Sequence, residues 1–129
     1  MPKTAIKFYR DVDGSVPVLD WLTDLAVRNR KAYDKCVYLL DLLSEFGSEL
    51  RRPRADFLRD GIYELRTKVG NVNYRLLYGF VGKDVALLTA GLTKEKKVPD
   101  KQIDQAVERI AQYKANPVRH GYDEEQNRG

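Results

Sequence analysis

Apolar residues along this chain switch between the alternation of a strand and the three-to-four spacing of a helix. In residues 4–10, TAIKFYR, Ile6 and Phe8 alternate with Lys7 and Tyr9, which predicts a short strand. DVDGS then breaks the run. Residues 16–26 predict a short helix with proline near its first turn; Val18, Leu22 and Leu25, flanked by Trp21, form its apolar face. Residues 29–46 carry the clearest helical spacing, through Tyr33, Cys36, Val37, Leu40, Leu43 and Phe46 or its neighbour, and Gly47 is a suitable C-cap. Residues 47–61 read as a loop, because Pro53 and a high charge density speak against a regular element. Two strands are predicted at 62–69 and 72–80 around Gly70 and Asn71, residues that tolerate the positive φ of a tight hairpin. A turn at 82–84 leads to an apolar, central strand at 85–92, then a basic loop and an amphipathic helix over 99–115 with Ile103, Ala106, Val107 and Ile110 on one side. The last residues, 116–129, are polar and without period, so a mobile tail is expected.

The predicted order is β-α-α-β-β-β-α, an α+β domain over residues 1–115. Consecutive strands with tight turns make an antiparallel sheet of about four strands, with the first strand at one edge. The N-terminal helical hairpin and the C-terminal helix are expected to pack on it and cover one face, leaving the other to water. Strand alternation assigns the faces of the central hairpin. Tyr63, Leu65, Thr67 and Val69 share one face with Val72, Tyr74, Leu76, Tyr78 and Phe80. The other holds Ile62, Glu64, Arg66 and Lys68, with Asn73, Arg75, Leu77 and Gly79. Arg66, Lys68, Asn73 and Arg75 are therefore expected on the open face, beside Glu64.

Charge sharpens that picture. The whole chain carries +4, and residues 1–115 carry +5. A mild excess is compatible with a polyanion without demanding one. Its distribution says more: Arg51, Arg52, Arg54 and Arg59 precede the hairpin, and Lys94, Lys96, Lys97 and Lys101 follow the last strand. For each cation singly a solvated face suffices. If the two loops rim the sheet, the charge converges, and arginine suits planar, bidentate contact with phosphate. Apolar content of 43% and charged content of 33% fit a folded soluble protein. One cysteine, Cys36, allows no internal disulfide, and no apolar leader or span is read, so the cytoplasm is the expected location. No cluster of His, Asp or Glu has ligand spacing, so no metal and no cofactor are expected. His120, the sole histidine, reads as a solvated tail residue. Cys36 reads as inert core, Tyr63, Tyr74 and Tyr78 as packing, and Trp21 as core or interface.

The segments LRRPRADFLRDGIYELR (50–66), NYRLLYGF (73–80) and LLTAGLTKEKKVPDKQIDQA (87–106) together resemble the RelE/HigB toxin superfamily, most of all its phage-derived Gp49-like HigB branch. The resemblance spans roughly residues 3–113 and implies a RelE/ParE-like fold. It implies a type II toxin that cleaves mRNA without metal, usually on the translating ribosome. Arg75 matches the family's strand arginine in its YR pair, Arg66 the arginine of its ELR, and Lys94, Lys96 and Lys97 its basic loop. Val98 departs from the family, where a threonine caps the last helix; valine has no oxygen for that bond.

Such cleavage uses the RNA's own 2′-OH against the adjacent phosphate, and needs charge stabilisation, a base and an acid. The catalytic candidates are Arg75, Arg66, Lys94, Lys97 and Glu64, and those for RNA binding Arg51, Arg52, Arg54, Arg59, Lys68, Asn73, Lys96 and Lys101. Glu64 reads equally as acid–base group and as salt-bridge partner of the arginines. A ParE-like inhibitor of DNA gyrase and a passive RNA-binding module are the alternatives. The resemblance also implies a cognate antitoxin with a helix-turn-helix domain, HigA-like, through which the pair would bind operator DNA. No membrane partner is expected.

Overall fold

The computed structural model describes residues 3–94 and 96–122. Strand β1 (Ala5–Tyr9) leads into helices α1 (Pro17–Arg28) and α2 (Arg30–Phe46), followed by a single 3-10 turn, Gly47–Glu49. Strands β2 (Ala55–Arg59), β3 (Ile62–Val69), β4 (Val72–Val81) and β5 (Val85–Thr93) come next. Helix α3 (Asp100–Ala115), a short α4 (Pro117–His120) and β6 (Gly121–Tyr122) complete the described chain. The α+β class and the meander are as expected. The sheet differs: among the described residues it has six strands in the order β2-β3-β4-β5-β1-β6, and it is mixed.

The meander β2 to β5 is antiparallel throughout, but β1 runs parallel to β5, with Ala5 opposite Val85 and Phe8 opposite Leu88. A parallel neighbour needs a long crossover, and the α1–α2 hairpin supplies it. Strand β2 lies where a loop was expected. Its turn to β3 is Asp60-Gly61, both left-handed at φ 53° and 80°, so an Asp-Gly hairpin turn stood in the sequence beside the charges that masked it. The β3–β4 turn behaves as read: Gly70 takes φ 59° and Val69 faces Val72.

The helices do not share one face. Helices α1 and α2 cover the face formed by Phe8, Leu65, Tyr74, Leu76, Tyr78 and Leu88, using Val18, Leu22, Leu25, Cys36, Leu39 and Leu43. Helix α3 covers the opposite face, where Ile103, Ala106, Ile110 and Tyr113 meet Tyr9, Ile62, Leu77, Leu87 and Ala90. The signal was present, since Ile62, Leu77 and Gly79 are uncharged and cluster at one end of the face read as open. Gly79 lies so close to Ile110 and the Gly61 carbonyl that a Cβ would collide. The helix faces also turn slightly from the reading. In α2, Ala32 and Leu39 are buried while Phe46 is exposed; in α3, Tyr113 is buried and Val107 lies at the surface.

The segment after α3 is partly built into the fold. Helix α4 and β6 return to β1, with Phe8 opposite Tyr122 and Tyr9 opposite Gly121. His120 is buried, its ring stacked on Tyr9 at 5.7 Å with Nδ1 2.9 Å from the Arg10 carbonyl oxygen. It is not the solvated residue expected, because its ring completes the cover of β1. The remainder of the expected tail, 123–129, lies outside the described residues.

Candidate nucleic-acid interface

Register decides the centre of the site. Arg66 of β3 is the direct cross-strand partner of Arg75 of β4, and Lys68 that of Asn73. Paired residues in an antiparallel ladder point to the same face. That face is the one α3 covers at its other end, so the cations occupy the half that α3 leaves free.

Two like charges directly opposite one another destabilise a sheet unless something compensates. Here the compensation is asymmetric. Arg75 is 9% exposed and Glu64 4% exposed. An Arg75 Nη1 hydrogen bond and ion pair joins it to Glu64 Oε1, and Nη2 donates to the Lys96 carbonyl at 2.7 Å. Arg66 sits nearer solvent: its Nε donates to the Pro53 carbonyl at 3.0 Å, and among the described residues it forms no ion pair. Its backbone N–H also reaches the Arg54 carbonyl at 2.9 Å. One arginine is thus folded into the molecule, and the other is half-buried, held through Nε of its guanidinium.

The loop after β5 reaches the same half-face. The Lys94 N–H donates to the Asn73 carbonyl at 2.8 Å. Lys94 holds φ 73°, a left-handed conformation that disfavours any residue with a Cβ. Val98 is buried in the α3 core, and Pro99 is the N-cap of α3 with no side-chain bond. Where the resemblance implies a threonine cap, Val98 stands as an apolar anchor. Lys94, Lys96, Lys97 and Lys101 are exposed.

The earlier basic segment converges less than expected. Arg59 is held by Asp60 at 2.6 Å, Asp104 at 2.8 Å and Asp100 at 3.5 Å, tying β2 to α3. Those carboxylates, Asp104 first, raise its pKa and occupy its donors. Arg52 pairs with Asp56 at 3.0 Å. Arg54 lies over the Tyr38 ring of α2 at 5.9 Å, and Arg51 donates to the Ser48 carbonyl at 2.7 Å. Arg59 and Arg52 thus have carboxylate partners of their own.

Two residues of this region were not anticipated. Asp56 is the register partner of Glu64, and its carboxyl is held below the usual range by Arg52, with a smaller contribution from Arg66. Reading 47–61 as a loop hid its face. Lys35 of α2 donates to the Lys68 carbonyl at 3.0 Å, bringing another cation to the hairpin's end; no local pattern in the sequence points to that contact. The aromatic residues follow the packing reading: Tyr63 and Tyr78 stack at 5.5 Å, and burial raises the Tyr78 pKa. Trp21 packs against the α1–α2 core, and its Nε1 donates to Thr93 Oγ1 at 3.0 Å.

A family model described as phage-derived protein Gp49-like matches residues 20–111, from α1 into α3. No curated protein matches the chain.

Proposed function

Because this chain belongs to the phage-derived Gp49-like family, a family of RelE/HigB-like toxin-type proteins, we propose that it is the toxin of a type II toxin–antitoxin pair and cuts mRNA on the ribosome without a metal ion. The 2′-OH of one nucleotide attacks the adjacent phosphorus and loses its proton to a base. The P–O5′ bond breaks, and the leaving oxygen gains a proton, so a cyclic phosphate and a 5′-OH remain. The enzyme's task is to hold the sugar and phosphate in line and to stabilise charge on the phosphorane.

The observation that carries this reading is the Arg66–Arg75 register pair on the half of the second face that α3 leaves free. It rests beside a loop of exposed lysines tied to the same strands. Arg66 is the guanidinium assigned to the phosphate. Lys94, Lys96, Lys97, Lys68 and Lys101 grip the flanking backbone, with Arg51 and Arg54 further along the rim. The cognate antitoxin carries a helix-turn-helix domain, HigA-like, and the pair rather than the toxin alone binds operator DNA.

The test is a translation reaction containing a reporter mRNA and the purified protein. Shortened transcripts with newly mapped 5′ ends are expected. Arg66→Ala should slow their appearance by about 100-fold or more, as loss of a charge-stabilising donor does, with an unchanged circular dichroism spectrum. Intact mRNA together with blocked DNA supercoiling would replace this reading with gyrase inhibition. Ribosome binding without any cleavage would leave a passive RNA-binding module.

A further inference from the structure

We infer that Glu64 and Arg75 are positioning residues: together they brace Lys94 and the lysine-bearing residues 96–98 against the sheet, and they do not themselves touch the substrate. The part of this inference that concerns cleavage rests on the nuclease reading; the brace itself does not.

The argument starts from burial. A carboxylate that is 4% exposed cannot reach a polymer's phosphate or a ribose hydroxyl without unfolding its strand. It is stable there only because Arg75 neutralises it. A guanidinium is planar, and its donors diverge at set angles. Fixing Nη1 on Glu64 therefore aims Nη2, and Nη2 meets the Lys96 carbonyl at 2.7 Å. That bond holds backbone and leaves the Lys96 side chain exposed. The segment is fastened at two further points, the Lys94 N–H on the Asn73 carbonyl and the buried Val98. Between those ends the Arg75 bond fixes the middle of the segment. A lysine could not replace it well, because a single ammonium cannot span a carboxylate and a diverging carbonyl with the same rigidity. Phosphate contact then falls to Arg66 and the exposed lysines.

The test begins on the free protein, with no RNA present. Glu64→Gln keeps an acceptor for Arg75 but removes the charge that orients it. Glu64→Gln/Arg75→Met removes both charges of the buried pair and the tie to Lys96 altogether. In both, the Lys94 amide should exchange with deuterium about 10-fold faster or more, and trypsin should nick after Lys96 and Lys97 sooner. Amides paired between β3 and β4 should keep their protection. On RNA, both variants should lose turnover by about 10-fold or more through misplacement, the double no worse than the single, because the two residues act as one unit. Their affinity should keep the wild-type dependence on salt, whereas Arg66→Ala should flatten the slope of log affinity against log salt by about 0.7, one phosphate contact. Wild-type exchange and nicking of the segment in both variants would overturn the brace. So would a flattened salt slope in the double variant, which would make Arg75 a phosphate contact. A protein that cleaves no RNA, yet loosens this segment in Glu64→Gln, would overturn the nuclease reading and leave the brace standing.

Discussion

A charged side chain can sit in the middle of a sheet only if its neighbours neutralise it or water reaches it. Arg75 takes the first solution and Arg66 the second, although they face each other across one ladder. Lys94 shows the opposite economy: its backbone is held left-handed at φ 73°, where glycine would fit more easily. Lys94→Gly should leave the protein equally stable or up to about 1 kcal/mol more stable in denaturant titration, while weakening RNA binding. Any clear destabilisation would show that the lysine side chain itself packs. Cys36 is legible from sequence and behaves as read: it is 1% exposed, and burial pushes its thiol up to about 12. An unfolded thiol ionises near 8.5. Between roughly pH 8.5 and 12 the native state thus holds more protons than the unfolded one, and stability falls as pH rises. The raised pKa of Tyr78 acts in the same direction at higher pH. The denaturation midpoint should therefore drop from pH 8 to 11, less steeply in Cys36→Ala. A thiol reagent should find Cys36 unreactive at pH 8 until denaturant is added.

At the scale of elements, the strongly periodic segments were readable because their apolar spacing is set within a few residues. The helices at 17–28, 30–46 and 100–115 and the strands at 62–69, 72–81 and 85–93 all stand within a residue or two of the reading. Strand β2 was not readable in that way. Its residues are charged because Arg59 and Asp56 make contacts with α3 and with the preceding loop, so the alternation expected of a strand is blurred. Helix α2 begins on Asn29, whose side chain accepts from the Ala32 N–H at 3.1 Å and also donates to the Tyr74 hydroxyl. Asn29→Ala should lower stability by about 1 kcal/mol, and a change under a few tenths would mean that water caps the helix equally well. Helix α1 lies so close to β5 that a Cβ on Gly91 would collide with the Trp21 ring. Gly91→Ala should then displace the indole, lose its bond to Thr93, and lower stability by about 1–3 kcal/mol. A red shift of Trp21 fluorescence should accompany the loss, and an unmoved spectrum would contradict the packing.

Across the whole molecule, the sheet is closed on one face by α1 and α2 and on half of the other by α3; the half that α3 leaves free is the candidate site. His120 lies toward the other edge of the sheet, on the segment that pairs with β1. His120→Ala should lower stability by about 1–2 kcal/mol through the lost ring stack and carbonyl contact. RNA cleavage by the folded fraction should stay at the wild-type rate; a cleavage defect at full folding would place the histidine in the chemistry after all. Among the described residues no helix is long and apolar enough to cross a membrane. By itself the amino-acid sequence determined the strongly periodic helices and strands, the β3–β4 turn and the alternation of faces in β3 and β4, because periodicity and turn chemistry act between near neighbours. Only the tertiary structure decided which face α3 covers and which cations are spent on partners. Arg59 meets Asp104, and Arg75 meets Lys96, across stretches of chain over which no local pattern carries information.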